Sequence, residues 1–121
     1  MPNTLKKILI ADDDEAIVDS TALLLEVMGY QVSQTLDGSK ISKAMQNKPD
    51  LVLLDIWMSG VDGRDICRQM KANPDTQNIP VLMISASRDV KQSAFDSGAN
   101  DFLEKPFEMD ALINKIATLI G

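Results

Sequence analysis

The sequence has no histidine and a single cysteine among its 121 residues, and both scarcities exclude kinds of site. Without an imidazole, the chain offers no histidine general base, no histidine zinc ligand and no histidine that could itself carry a phosphoryl group. Cys67 alone makes neither an internal disulfide nor a cysteine metal cluster. Its neighbours Ile66 and Met70 favour a role as a small core residue.

Long apolar runs and an excess of positive charge are also lacking. No stretch approaches the roughly 18 apolar residues of a membrane span, and the N-terminal MPNTLKK has no apolar signal-peptide core. The chain carries 12 basic and 18 acidic residues, a net charge of −6, without a basic stripe. Such a chain is a poor ligand for nucleic acid or an anionic membrane. We therefore predict a cytoplasmic protein that binds neither directly.

Short apolar runs alternate with segments of helical periodicity along the whole chain. The predicted strands cover residues 7–11, 30–35, 49–55, 79–85 and 101–107, and the predicted helices cover residues 15–29, 39–47, 64–72, 88–99 and 109–121. Alternating βα units with unbroken apolar strands predict a parallel sheet with helices on both faces. We expect one doubly wound (βα)5 domain of the α/β class over residues 1–121, large enough to bury a core.

Two helices show a distinct apolar face. The expected core-facing residues are Ile17, Thr21, Leu24, Leu25 and Met28 in the first helix and Leu112, Ile116, Leu119 and Ile120 in the last.

Polar residues follow four of the predicted strands. Three aspartates, Asp12 to Asp14, follow the first strand, Asp55 ends the third, Ser85 ends the fourth, and Lys105-Pro106 end the fifth. Each residue also has a local explanation, such as a helix cap for Asp13 or Asp14, or an exposed salt bridge for Lys105. In parallel sheets, however, ligands bind beyond the carboxyl ends of the strands, where these residues would meet.

Clustered carboxylates need a counter-charge. Two carboxylates about 5 Å apart repel by roughly 3 kcal/mol at an effective dielectric constant near 20, and one lysine cannot neutralise three acids. Oxygen ligands without histidine or cysteine favour Mg²⁺, with Mn²⁺ as the alternative, over zinc. Because Mg²⁺ takes only one or two protein carboxylates, an aspartate remains free to attack phosphorus and form an aspartyl phosphate.

This set of residues resembles the receiver domain of two-component response regulators, over roughly residues 5–120. The resemblance implies that Asp55 accepts the phosphoryl group and that Ser85 and Lys105 contact the phosphoryl oxygens. It also implies that Mg²⁺ is held by Asp13, by Asp12 through a water, by Asp55 and by the backbone carbonyl of Trp57.

The resemblance carries further expectations about structure and partners. It implies the sheet order 2-1-3-4-5, a cis peptide between Lys105 and Pro106, and a switch formed by Ser85 and Phe102. The phosphodonor would be a histidine kinase or a histidine phosphotransfer protein. The face of helix four, strand five and helix five would be read by an output partner that the sequence does not identify, and the chain would be a monomer or a phosphorylation-dependent dimer. On this interpretation it is no enzyme beyond catalysing its own phosphorylation and dephosphorylation.

Three positions depart from the commonest family pattern. Ser59 stands where proline is frequent, which suggests a more flexible loop, and Phe102 replaces a frequent tyrosine. Trp57 is unusually bulky for its position. We hypothesise that it shields the acyl phosphate from water; the alternative is that it only packs on the surface beside the first helix.

Three other functions fit parts of the pattern. A phosphatase of the haloacid-dehalogenase type would use Asp12 in the D-x-D spacing of Asp12 to Asp14, but it would leave Asp55 without a task and lack a cap domain. A flavodoxin-like FMN binder would have to place phosphate against three aspartates. A receiver-like interaction module that is never phosphorylated would have no reason to keep the clustered charge.

Overall fold

The computed structural model describes residues 5–120 and contains one central parallel sheet. Its strands are β1 (Lys7–Ala11), β2 (Gln31–Thr35), β3 (Leu51–Asp55), β4 (Val81–Ser85) and β5 (Asp101–Glu104). They are ordered β2-β1-β3-β4-β5, which confirms the doubly wound α/β fold and the implied strand order. Every residue of β3 and β4 is buried, because helices cover both faces of the inner strands.

The helices surround the sheet, and two of them are shorter than their periodicity predicts. They are α1 (Glu15–Val27), α2 (Ile41–Ala44), α3 (Gly63–Ala72), α4 (Lys91–Asp96) and α5 (Met109–Ile120). Short 3-10 turns flank α2 at Gly38–Lys40 and Met45–Asn47 and precede α4 at Arg88–Val90. The predicted helices over 39–47 and 88–99 are thus each partly 3-10. Residues 1–4 and 121, which the predicted domain and last helix include, lie outside the described residues.

Prolines explain where the strands depart from prediction. The runs 49–55 and 79–85 pair only from Leu51 and Val81, after Pro49 and Pro80, and the run 101–107 stops at Glu104 before Pro106. Proline has no N–H to donate to a strand ladder, so it lies at or beyond strand ends.

The core lies in two layers, one on each face of the sheet. Alternate strand residues point to opposite faces: Ile8 and Ile10 pack under α1 and α5, whereas Leu9 packs under α2, α3 and α4. Cys67 is buried in the second layer, as predicted.

The prediction of which face of α1 packs against the core is partly wrong. The structure buries Val18, Thr21, Ala22 and Leu25, whereas Met28 lies beyond the helix and is 51% exposed. Apolar residues occur all round this helix, and Leu23 and Val27 also face solvent. Periodicity alone could therefore not choose between two neighbouring faces. In α5, Leu112 and Ile116 are buried and Leu119 and Ile120 pack against the same layer, as predicted.

A short antiparallel hairpin connects β3 to α3. Trp57–Met58 pairs with Val61–Asp62 around Ser59 and Gly60.

Over residues 5–120, none of the helices combines the length and the apolar character needed to cross a bilayer.

Candidate functional site

Three carboxylates meet at the carboxyl edge of the sheet. β1 and β3 are paired neighbours, with Ala11 opposite Leu54, so Asp12 and Asp55 leave adjacent strand ends. Asp12, Asp13 and Asp55 each place a carboxylate oxygen within 4.8 Å of the others. Asp12 and Asp55 are 2% and 7% exposed, whereas Asp13 is exposed at the rim. The site therefore opens to solvent on the Asp13 side.

Lys105 extends into this cluster from the end of β5. Its Nζ lies 2.8 Å from Asp12 Oδ2 and 3.7 Å from Asp55 Oδ2. Burial acts to lower the pKa of Lys105, but the contact with Asp12 and the charges of Asp12 and Asp55 outweigh it, so the pKa lies above its ordinary value. Lys105 is therefore a stable cation with two carboxylate partners, rather than the exposed salt-bridge lysine of the local explanation.

Asp55 has a raised pKa. Burial and then the charge of Asp12 raise its pKa to about 6, against the opposing effects of Lys105 and of a hydrogen bond from the Trp57 backbone N–H. The charge of Asp13 raises it further. Asp55 is thus ionised at neutral pH but unfavourably so, and any added cation would stabilise its charged form.

The side chain of Asp14 caps α1, so the carboxylates of Asp12 and Asp13 are not used in helix capping. Asp14 accepts a hydrogen bond from the Ile17 N–H at 3.2 Å and caps α1. Its own N–H donates to Asp12 Oδ1 at 3.0 Å. This arrangement holds the Asp12 carboxylate in place and leaves its second oxygen directed toward Lys105.

The donor set fits a hard divalent cation. In the chain from residue 5 to residue 120, Asp12 Oδ2 is a buried oxygen that receives no hydrogen bond of good geometry, although Lys105 Nζ is close enough for an ion pair. Three carboxylates against one ammonium leave excess negative charge, and all nearby ligand atoms are oxygens. Mg²⁺ prefers such oxygen ligands and retains waters, which the open Asp13 side would admit. The carbonyl of Trp57 as a further ligand stays a prediction.

Ser85 stands beside the acidic cluster on β4. Asp55 is in register with Ile84, so Ser85 is the next residue along the neighbouring strand. Its Oγ accepts a hydrogen bond from the Ser87 N–H at 3.1 Å, and its carbonyl accepts one from the Lys105 N–H at 2.8 Å. The ends of β4 and β5 are thereby tied together. The Lys105–Pro106 peptide is cis, the isomer that the resemblance implies.

The two aromatic positions singled out from the sequence have contrasting surroundings. Phe102 is buried in the core layer that also contains Met83 and Ala94. A switch that moves this ring would therefore start from a largely buried side chain. Trp57 is 60% exposed beside the acidic cluster. Its side chain is therefore largely accessible to solvent.

Sequence reasoning missed the hairpin and its contact with Asp13. Ser59 and Gly60 have φ angles of +50° and +78°, as in a type I′ turn. The Ser59 N–H donates to Asp13 Oδ2 at 3.0 Å. We expected a more flexible loop because Ser59 replaces a frequent proline, and that expectation did not include this hydrogen bond. The Ser-Gly dipeptide itself was the available turn signal.

Comparison with known proteins places these features in a family. The family model for the response regulator receiver domain matches residues 8–117. The DNA-binding dual master transcriptional regulator RpaA of Synechocystis is 41% identical over 117 residues, 94% of this chain and 48% of the relative. The response regulator PleD of Caulobacter vibrioides is 38% identical over 116 residues, 93% of this chain and 26% of the relative. The chain thus spans about half or less of the length of these relatives.

Solved structures show the same similarity. The receiver domain of a response regulator from Bermanella marisrubri superposes with a TM-score of 0.89 at 32% identity, covering 98% of this chain and 100% of that chain. The chemotaxis protein CheY4 of Vibrio cholerae gives a TM-score of 0.87 at 25% identity, covering 96% and 99%.

Proposed function

The chain belongs to the receiver domain family of two-component response regulators, and we propose that it accepts a phosphoryl group on Asp55 in a Mg²⁺-dependent reaction. The donor would be the phosphohistidine of a histidine kinase or a histidine phosphotransfer protein. The observation that carries this proposal is the convergence of Asp12, Asp13 and Asp55 with Lys105 at one edge of the sheet.

Each residue of the cluster has a distinct task in the proposed transfer. A carboxylate oxygen of Asp55 attacks phosphorus as the phosphorus–nitrogen bond of the donor breaks, and the departing imidazole takes up a proton. Lys105 and the Ser85 hydroxyl contact two of the phosphoryl oxygens, on which negative charge accumulates.

The acids would hold the cation. Asp13 would bind Mg²⁺ directly, Asp12 through a water, and Asp55 and the Trp57 carbonyl would complete the protein ligands. When bound, Mg²⁺ supplies positive charge that the excess of carboxylates requires. Mn²⁺ is the alternative ion, because it favours the same oxygen donors.

Phosphorylation would change the surface that faces a partner. Ser85 would move toward the new phosphoryl group and Phe102 would rearrange in its core layer, altering the face formed by α4, β5 and α5. A partner protein or a further domain would recognise that face, as a monomer or in a phosphorylation-dependent dimer. The net charge of −6 argues against direct binding of nucleic acid by residues 1–121. We expect the chain in the cytoplasm, because its sequence has no long apolar run and no apolar signal-peptide core.

The structure also weighs against the phosphatase alternative. That reading needs Asp14, the second acid of the D-x-D spacing, as a free side chain, but Asp14 caps α1. The acid that the alternative leaves unused, Asp55, is the one whose pKa is raised to about 6 by burial and then by the charge of Asp12.

The test is the intact mass of the protein after incubation with acetyl phosphate and Mg²⁺. We expect one phosphoryl adduct that disappears with EDTA and in Asp55→Asn, and persists in Asp62→Asn, a matched carboxylate outside the cluster. An adduct that survives in Asp55→Asn but not in Asp12→Asn would favour the phosphatase. If no adduct forms from acetyl phosphate or from a phosphorylated histidine protein, the chain is a module that is never phosphorylated.

A further inference from the structure

The hairpin after β3 reaches back across the site to the exposed acid. Trp57–Met58 and Val61–Asp62 form its two strands, and the turn residue Ser59 donates its N–H to Asp13. We propose that Ser59 is a positioning residue of the metal site, whose backbone N–H holds the Asp13 carboxylate in the orientation that binds a divalent cation. This inference rests on the proposed function, because it concerns the same cation.

Asp13 is the member of the cluster that most needs support. Asp12 is buried and fixed by the Asp14 N–H and by Lys105, and Asp55 is held at the end of β3. Asp13 is exposed, and within residues 5–120 the Ser59 N–H is the hydrogen-bond donor that the structure shows to its carboxylate. That bond engages Oδ2 and leaves Oδ1 for a cation. Partners that orient a ligand in this way typically change metal affinity by about 10- to 100-fold when removed.

The backbone conformation makes the contact specific to residues that tolerate a left-handed turn. The φ angles of Ser59 and Gly60 are both positive. Proline fixes φ near −65° and has no N–H, so a proline at position 59 could neither form this turn nor make this bond. The Ser59 hydroxyl lies 3.5 Å from the Leu36 carbonyl, a long contact that adds little. The N–H, rather than the hydroxyl, is therefore the functional group.

Three substitutions separate the N–H from the rest of the residue. Ser59→Pro removes the N–H and the turn, Ser59→Ala removes only the hydroxyl, and Ser59→Gly keeps the N–H while relaxing the backbone. Titration calorimetry with MgCl₂ on each variant gives the affinity directly. We expect Ser59→Pro to weaken Mg²⁺ binding about tenfold, and Ser59→Ala and Ser59→Gly to stay within about twofold of the wild type.

A second measurement does not depend on Ser59→Pro folding. In metal-free protein, the exchange rate of the Ser59 amide hydrogen reports its bond to Asp13. We expect Asp13→Ala to accelerate this exchange at least about tenfold while the β3 amides stay protected. Unchanged exchange would refute the inference.

The outcomes distinguish this inference from the proposed function. If the wild type and a well-folded Ser59→Pro bind Mg²⁺ equally, the inference fails and the proposed function stands. If Ser59→Ala weakens binding as much as Ser59→Pro, the hydroxyl is responsible and the inference fails. If the wild type binds no Mg²⁺, the proposed function fails and the inference falls with it.

Discussion

Replacing Asp55 by asparagine should stabilise the metal-free protein. In the folded state burial, followed by the charge of Asp12, raises the pKa of this acid from 3.8 to about 6. Above pH 6 the folded protein therefore carries a carboxylate that would be better solvated in the unfolded chain. Asparagine has nearly the same shape without the charge, so the substitution removes the repulsion and part of the desolvation.

The size of the expected stabilisation follows from the pKa of Asp55. A rise from 3.8 to about 6 corresponds to roughly 3 kcal/mol at neutral pH, since each pK unit is worth about 1.36 kcal/mol. That pKa already includes the opposing attraction to Lys105, and a buried asparagine amide retains part of the desolvation cost, so we expect a net gain of about 2 kcal/mol. For a chain of this length that is an increase in Tm of roughly 6 to 10 °C.

The pH dependence has a definite sign. A raised acid pKa means that the folded state binds more protons than the unfolded state between pH 3.8 and about 6. The destabilisation caused by the Asp55 charge is complete above the pKa of Asp55 in the folded state and absent below its pKa in the unfolded state. The advantage of Asp55→Asn should therefore be full at pH 7 to 8 and disappear as the pH falls from 6 to 4.

The assay is thermal unfolding in EDTA across this pH range, followed by circular dichroism. Asp62→Asn is the matched control with the opposite sign. The hydrogen bond from the Arg64 side chain lowers the pKa of Asp62, so its charge stabilises the folded state at neutral pH. Saturating Mg²⁺ should narrow the gap between Asp55→Asn and the wild type, because ligand binding stabilises the protein that binds it. A Tm for Asp55→Asn in EDTA at pH 7.5 that equals or falls below the wild-type value would refute the reasoning.

Two further predictions concern the residues around Asp55. If the exposed Trp57 indole shields the acyl phosphate, Trp57→Asn will lose its phosphoryl group faster than the wild type in an autodephosphorylation assay, and equal rates would reject shielding. Gly63→Ala should lower the unfolding free energy by about 1 to 3 kcal/mol, because a Cβ there would lie 2.5 Å from the Asp55 carbonyl oxygen. Gly63 is not among the glycines with a positive φ, so alanine there adds no left-handed strain, and an unfolding free energy equal to that of the wild type would contradict the proposed clash.

The sequence predicted the sheet well because its signals are local. The apolar runs that became β3 and β4 are buried at every residue, and only inner strands of a parallel sheet need to be apolar on both faces. The order of the strands came from the family resemblance, since pairing partners are not written in any single strand. The core face of α1 was misjudged because Leu23, Leu24, Val27 and Met28 are all apolar and only tertiary packing decides which of them is covered.

The candidate site was predictable to the extent that strand ends determine it. Asp55 ends β3, and Asp12 and Lys105 directly follow β1 and β5, so the topology brings the three side chains together. The role of Asp14 as the helix cap was ambiguous between two adjacent aspartates, because either could accept the first-turn N–H. The backbone geometry, not the residue type, made the choice.

The contact between Ser59 and Asp13 lies beyond the reach of sequence patterns for a different reason. It joins residues 46 positions apart through a backbone N–H, a group that every residue except proline carries. No side-chain motif can reveal such a bond. What the sequence does contain is a permissive pair, Ser59-Gly60, whose conformational tolerance lets the chain turn back toward the acids. A departure from a family's commonest residue can therefore mark an alternative local structure, with its own contact to the site, rather than a loss of order.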